Sequence, residues 1–271
     1  MHIEHSIAAV IALAVGVSAA ALHPGRAQAQ ASLDAPAALE SPYRIVDACG
    51  GRFVELAPQS VPEQLTWGEF GAPFDSAFGV TAYAHGAEGD ARRDNPDGLY
   101  QCTELVHRYL REALGVPTRI GLGLGHGVDV AQRVAERFGA AAYTGGRITG
   151  STPVSLRYFP SGESTCAPLV GAVVSIAMPS EDGGRGYGHV AVIRALERES
   201  DDVIIATLFE QHGGSSLTPG ETVGAGRVRF MRFGEAWAGV FLSQGGGTFP
   251  VEGWTNIAAV DDGLAPASGA P

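Results

Sequence analysis

Between Leu105 and Phe138 the apolar residues recur at helical spacing. From Leu169 onward they come as short runs rich in Val, Ile and Phe, and this change of period constrains the fold more than any other feature. Leu105, Val106, Tyr109, Leu110 and Ala113, then Val130, Ala131, Val134 and Phe138, put their side chains on one face of a helix. Gly115 and Gly139 follow as stops. This pattern predicts one helix opening at Cys102 and a second over Val128 to Phe138. The later runs, Leu169 to Met178, His189 to Leu196, Val203 to Phe209 and Val228 to Phe233, have strand length and are separated by Gly-, Ser- and charge-rich turns, as in an antiparallel meander. A short strand, Phe78 to Ala84, precedes the first helix. Helices followed by sheet predict an α+β fold.

A chain of 271 residues with no internal repeat can bury one sizeable core. Ile7 to Leu22 is an apolar, Ala-rich run followed by Ala27-Gln28-Ala29, which reads as a signal peptide over residues 1–29. The sequence thus predicts a periplasmic or secreted protein. His2, Glu4 and His5 stand where such segments carry Lys or Arg, so an uncleaved anchor is the alternative and the only route to a membrane. Residues 30–42 are small and Pro-broken, a linker, and residues 261–271 are a tail of the same character. Residues 43–77, with Trp67 and Phe70, form an extension expected to pack on the core, and residues 78–260 the main domain.

The formal charge of −11 disfavours nucleic acid, whose backbone calls for a basic patch. All 18 basic residues are Arg, so chemistry that needs a lysine (a P-loop, a Schiff base, a Ser-Lys dyad) is ruled out. Gly121-Leu-Gly-Leu-Gly-His-Gly127 follows a poor strand and no βαβ repeat comes after it, so it reads as a turn between helices and no nucleotide is expected. The chain has no C-x-x-C, H-E-x-x-H, EF-hand or G-x-S-x-G pattern; neither a metal nor a cofactor is expected, nor a serine nucleophile of the elbow type. Nothing in the sequence specifies an oligomeric state.

Three cysteines in an exported chain admit one disulfide and one free thiol. If Cys102 is the free one, Cys49 pairs with Cys166; three buried thiols are the alternative. Cys102 sits in the first turn of its helix, where the positive end of the dipole and free backbone N–H groups favour a thiolate. The same N–H groups, with the Gln101 amide, could form an oxyanion site. A cysteine at a helix start is more often a core residue than a catalyst. His189 opens a strand after a Gly-rich stretch and can present a ring to a cleft as base. Glu210 ends the following strand, where a hairpin brings it back to His189 as an orienting group, with Gln211 and His212 able to assist. His107 lies about 140° round the helix from Cys102 and reads as a surface residue.

Gly79-Val-Thr-Ala-Tyr83, Tyr100-Gln101-Cys102-Thr-Glu-Leu-Val-His-Arg-Tyr109, Gly188-His189-Val-Ala-Val-Ile193 and Phe209-Glu210-Gln211 together resemble the CHAP family, the cysteine- and histidine-dependent amidohydrolase/peptidases. The order and spacing of these segments are similar as well as their letters, and the resemblance runs from about Phe78 to Phe233, with Gly253-Trp254 similar to a closing motif. It implies a papain-like NlpC/P60-type α+β fold, with the nucleophile helix packed on an antiparallel sheet. It also implies Cys102 as nucleophile, His189 as base then acid, Glu210 as orienter and Gln101 near the oxyanion. The chain departs from the family's usual pattern at His212, where Asn is common, and at Gly171-Ala172, where Gly-Asp is common.

The expected activity is that of an N-acetylmuramoyl-L-alanine amidase or endopeptidase cutting amide bonds in peptidoglycan through an acyl-enzyme. The alternatives are an amidase of a small peptide or polyamine conjugate and a wall-binding module that keeps the fold without turnover.

Overall fold

The computed structural model describes residues 41–69, 71–84, 101–119, 124–179, 186–211, 219–243 and 246–260. The signal segment 1–29, most of the linker and the tail 261–271 lie outside the described residues.

The chain begins with a hairpin of β1 (Tyr43–Ala48) and β2 (Gly51–Leu56), then the short β3 (Leu65–Thr66) and a second hairpin of β4 (Pro73–Ala77) and β5 (Val80–Tyr83). Phe78 and Gly79 both have positive φ and make the turn of that second hairpin. Phe78–Ala84 is therefore a turn and a strand, and the boundary expected at 77/78 falls at the turn. Buried Arg194 donates to Asp75 across 2.7 Å and docks this hairpin on the main sheet.

Two helical stretches follow. α1 (Cys102–Arg108) runs directly into a π-helical turn over Tyr109–Ala113, and α2 covers Gly127–Phe138. Val128, Val130, Ala131, Val134 and Phe138 are the buried face of α2, in agreement with the helical spacing read from the sequence.

The remaining strands are β6 (Val154–Pro160), β7 (Val173–Ile176), β8 (His189–Ser200), β9 (Val203–Phe209), β10 (Thr222–Val223), β11 (Arg227–Phe233), β12 (Ala236–Leu242) and β13 (Thr248–Ala259). Here the structure overturns the papain-like NlpC/P60-type α+β expectation. Strands β7, β8, β9, β11, β12 and β13 pair antiparallel in that order, and β13 pairs again with β7, so six strands close into a barrel. The cause is β13. Its first residues pair with β12, a register shift between Val251 and Gly253 bends it, and its later residues run along β7, β6 and β2. A strand that satisfies both edges of a curling sheet removes those edges altogether.

The barrel interior holds Val174, Ile176, Ala191, Ile193, Leu208, Phe230, Trp237 and Trp254. Val173, Val190, Val192 and Phe209 alternate with these and face a second cluster built on Leu105, Tyr109, Leu110, Val130 and Val134 of the helices. β7 and β8 thus read as unbroken apolar runs because both of their faces are covered.

Cys49 at the tip of the β1–β2 hairpin is disulfide-bonded to Cys166, 117 residues away, and Cys102 is the free thiol. Closing so long a loop restricts the unfolded chain. Reducing the disulfide in a Cys102→Ala background is expected to lower the unfolding free energy by about 2–4 kcal/mol. Urea unfolding with and without reductant measures it, and an unchanged midpoint would show that this link does not hold the fold.

Candidate functional site

His189 is the first residue of β8, at one end of the barrel, with its ring centroid 6.3 Å from that of Phe241. The pairing of Val192 with Phe209, carried one step further, sets Ala191 opposite Glu210. His189 and Glu210 are therefore diagonal neighbours on the same face, and the His189 Nε2–H donates to Glu210 Oε2 at 2.8 Å. The other carboxylate oxygen of Glu210 accepts from the Gly226 N–H at 2.9 Å. A Cβ on Gly226 would lie 2.3 Å from that oxygen, so glycine is required for the contact.

With Nε2 engaged, Nδ1 is left for Cys102, whose thiol is hydrogen-bonded to the His189 ring. The thiol also accepts from the backbone N–H groups of Val190 and Thr103. Cys102 is 8% exposed and His189 3%, so the pair is shielded from water.

Burial is the largest influence on the thiol and opposes the thiolate. The hydrogen bond and charge of His189, helped by the two backbone N–H groups, outweigh it, and the Cys102 pKa falls below the ordinary thiol value. Burial is likewise the largest influence on His189 and would lower its pKa. The partners Cys102 and Glu210 overcome it and push the imidazolium up to about 10. Each partner favours the charged form of the other, thiolate beside imidazolium, and the two titrations belong to the pair.

Gln101 precedes α1 in extended conformation and its side chain does not cap the helix. Its carbonyl accepts from Gln211 Nε2 at 3.2 Å. Gln211 is fully buried on the opposite face from Glu210 and bonds to the Gln101 carbonyl just before α1 and to Glu104 within it. The structure thus brings Cys102, His189, Glu210, Gln101 and Gln211 together; His212 lies outside the described residues, as does His85. Among the described residues no group of three or more His, Cys, Asp or Glu side chains could hold a metal ion.

Three features escaped the sequence reading. His107 is buried, not on the surface; its Nδ1 is hydrogen-bonded to Thr118 Oγ1 at 2.6 Å, and burial lowers its pKa to about 4. Glu104 and Arg108 show in the sequence as a pair four apart on a polar helix face, yet Glu104 is 3% exposed. Gly127 closes the Gly-rich sequence of residues 121–127 and is the first residue of α2. A Cβ there would lie 2.8 Å from the His189 carbonyl carbon, so Gly127 lets α2 rest on the backbone of His189. Ser175 Oγ holds that contact by donating to the Gly127 carbonyl at 2.7 Å.

Comparison of the chain with known family models and with curated proteins gives no match to either.

The ion pair makes a direct prediction. Alkylation of Cys102 by iodoacetamide should already be rapid at pH values well below the ordinary thiol pKa of about 8.5. In His189→Ala the desolvation remains and the partner is gone, so the pH limb should move above that ordinary value. A His189→Ala limb identical to the wild type would show that the ring does not set the thiol's charge.

Proposed function

We propose that the protein is a cysteine hydrolase of amide bonds. The observation that carries this reading is the hydrogen-bonded chain from the Cys102 thiol through His189 to Glu210, a nucleophile, a base and an orienting carboxylate in series. The resemblance of these segments to CHAP enzymes supports the same roles. The barrel does not have the fold which that resemblance implies, so the proposal rests on the chemistry of the site.

In this mechanism the Cys102 thiolate attacks the amide carbonyl carbon and an oxyanion forms. Backbone N–H groups at the start of α1 and the Gln101 amide serve as its donors in this proposal. His189 gives its Nδ1 proton to the leaving amine as the carbon–nitrogen bond breaks, which leaves a thioester on Cys102. The neutral ring then takes a proton from water, the hydroxide adds to the thioester carbonyl, and the acid product leaves as the thiol is regenerated. Glu210 holds the ring with Nδ1 toward sulfur and stabilises its positive charge throughout.

Peptidoglycan is the substrate we favour. The signal-like segment 1–29 fits an exported protein, and the Cys49–Cys166 disulfide is compatible with an extracytoplasmic, oxidising location. There the cell wall is the abundant amide-bearing polymer, and cleavage would fall between sugar and peptide or within the peptide stem.

Incubation of the full chain with purified sacculi, read by mass spectrometry of released fragments, tests the proposal. Wild type should release fragments, and Cys102→Ala should lower the rate by at least about 10³-fold. Fragments released equally by both proteins, or by neither, would overturn it. The rate should follow a bell in pH. Its acid limb should lie below the ordinary thiol value, where the thiolate takes up its proton, and its alkaline limb toward about 10, where His189 loses its own.

A further inference from the structure

Successive residues beyond β9 point to opposite faces, so Glu210 turns to His189 and Gln211 turns to α1. Gln211 is 0% exposed, yet its amide uses all the hydrogen-bonding positions it has. Oε1 accepts from the Tyr83 N–H at 2.9 Å and from Arg108 Nη2 at 3.1 Å. Nε2 donates to Glu104 Oε2 at 2.9 Å and to the Gln101 carbonyl at 3.2 Å. Arg108 in turn donates to both oxygens of Glu104, with Nη2 to Oε2 at 3.0 Å, and through Nη1 to the Thr81 carbonyl at 2.5 Å.

These partners fix the amide in one orientation. Turned over, it would set its NH2 group against the Tyr83 N–H and Arg108, and its oxygen against a carboxylate and a carbonyl. The network reaches the site at both ends. The Gln101 carbonyl belongs to the residue before Cys102, and Gln211 is the residue after Glu210. Its other arms, at Thr81 and Tyr83, tie in the β4–β5 hairpin.

We propose that Gln211, Glu104 and Arg108 are positioning residues: a buried lock that sets the first turn of α1, and with it the Cys102 sulfur, against the His189–Glu210 pair. This rests on the reading of Cys102 as nucleophile. A buried carboxylate paired with a partly buried guanidinium is no more stabilising than well-packed apolar side chains of similar size. What they add is direction, because each bond holds only at one register of helix against strand. A thiol displaced by about 1 Å from its base can cost on the order of 10²-fold in rate. Glu104 and Arg108 carry opposite charges, so the lock brings no net charge to the neighbourhood of the thiolate.

The test uses the full chain and three variants: Gln211→Ala, Gln211→Glu and Arg108→Lys. Two readouts are needed, the pH dependence of Cys102 alkylation by iodoacetamide and kcat and KM on peptidoglycan fragments, with near-UV circular dichroism to confirm folding. Gln211→Ala should move the acid limb of alkylation upward by about one pH unit or more, and lower kcat at least about tenfold with KM changed less than about twofold. Arg108→Lys keeps the charge but loses the fork, and should change both readouts in the same direction. Gln211→Glu should approach the wild type at low pH, where its protonated carboxyl can donate to Glu104, and lose rate as that proton leaves. An added ionisation of this kind is not produced by a loss of packing alone.

Folded variants with the wild-type alkylation profile would overturn the lock while leaving the nucleophile in place. If Gln211→Ala does not fold, the other two variants decide. A wild-type Cys102 that titrates as an ordinary thiol would overturn the nucleophile reading itself, and the lock with it.

Discussion

The double pairing of β13 is the constraint on which the rest of the molecule depends. One strand completes the hydrogen bonding of β12 at its beginning and of β7, β6 and β2 along the remainder, and the sheet has to curl to allow it. Closure gives the barrel an interior, filled by Trp254, Phe230, Trp237 and the aliphatic residues around them. It also gives β7 and β8 an outer face against which both helices pack. His189 owes its place at the barrel end to this arrangement, and α2 is anchored to it through Ser175 and through Thr255 of β13.

The site is formed where the two cores meet. His189 belongs to the barrel by its strand and its neighbour Phe241, whereas Cys102 belongs to the helical cluster. Neither residue is far exposed, and the charge on each is sustained by the other. Glu210 and Gln211 connect the two halves from adjacent positions, one holding the imidazole and the other holding the helix. The alternation of a strand thus assigns two neighbouring residues to two different tasks.

Much of this was legible from residue order. The helix carrying Cys102, the span of α2, the four apolar runs that became β7, β8, β9 and β11, and the approach of Glu210 to His189 follow from spacing and from local chemistry; the grouping of Cys102 with them was implied by the family resemblance. The hairpin between β8 and β9 is short, so the meeting of His189 and Glu210 is a nearly local event. β12 and β13 were not legible. β13 carries Pro250, Glu252, Gly253 and Asn256, which interrupt any apolar pattern. Its buried Asn256 finds partners only in a distant segment, accepting from the Leu169 N–H and donating to the Ala167 carbonyl.

The sequence by itself determined which residues could react and which local elements would carry them, because helical and strand periods and the turn after β8 depend on near neighbours. Only the tertiary structure decided that the sheet closes, that Cys49 and Cys166 form a bond instead of remaining thiols, and that Glu104 and His107 belong to the interior. Those outcomes depend on contacts between segments far apart in the chain, or on which face of a helix a sheet happens to cover. A pattern of near neighbours holds no record of either.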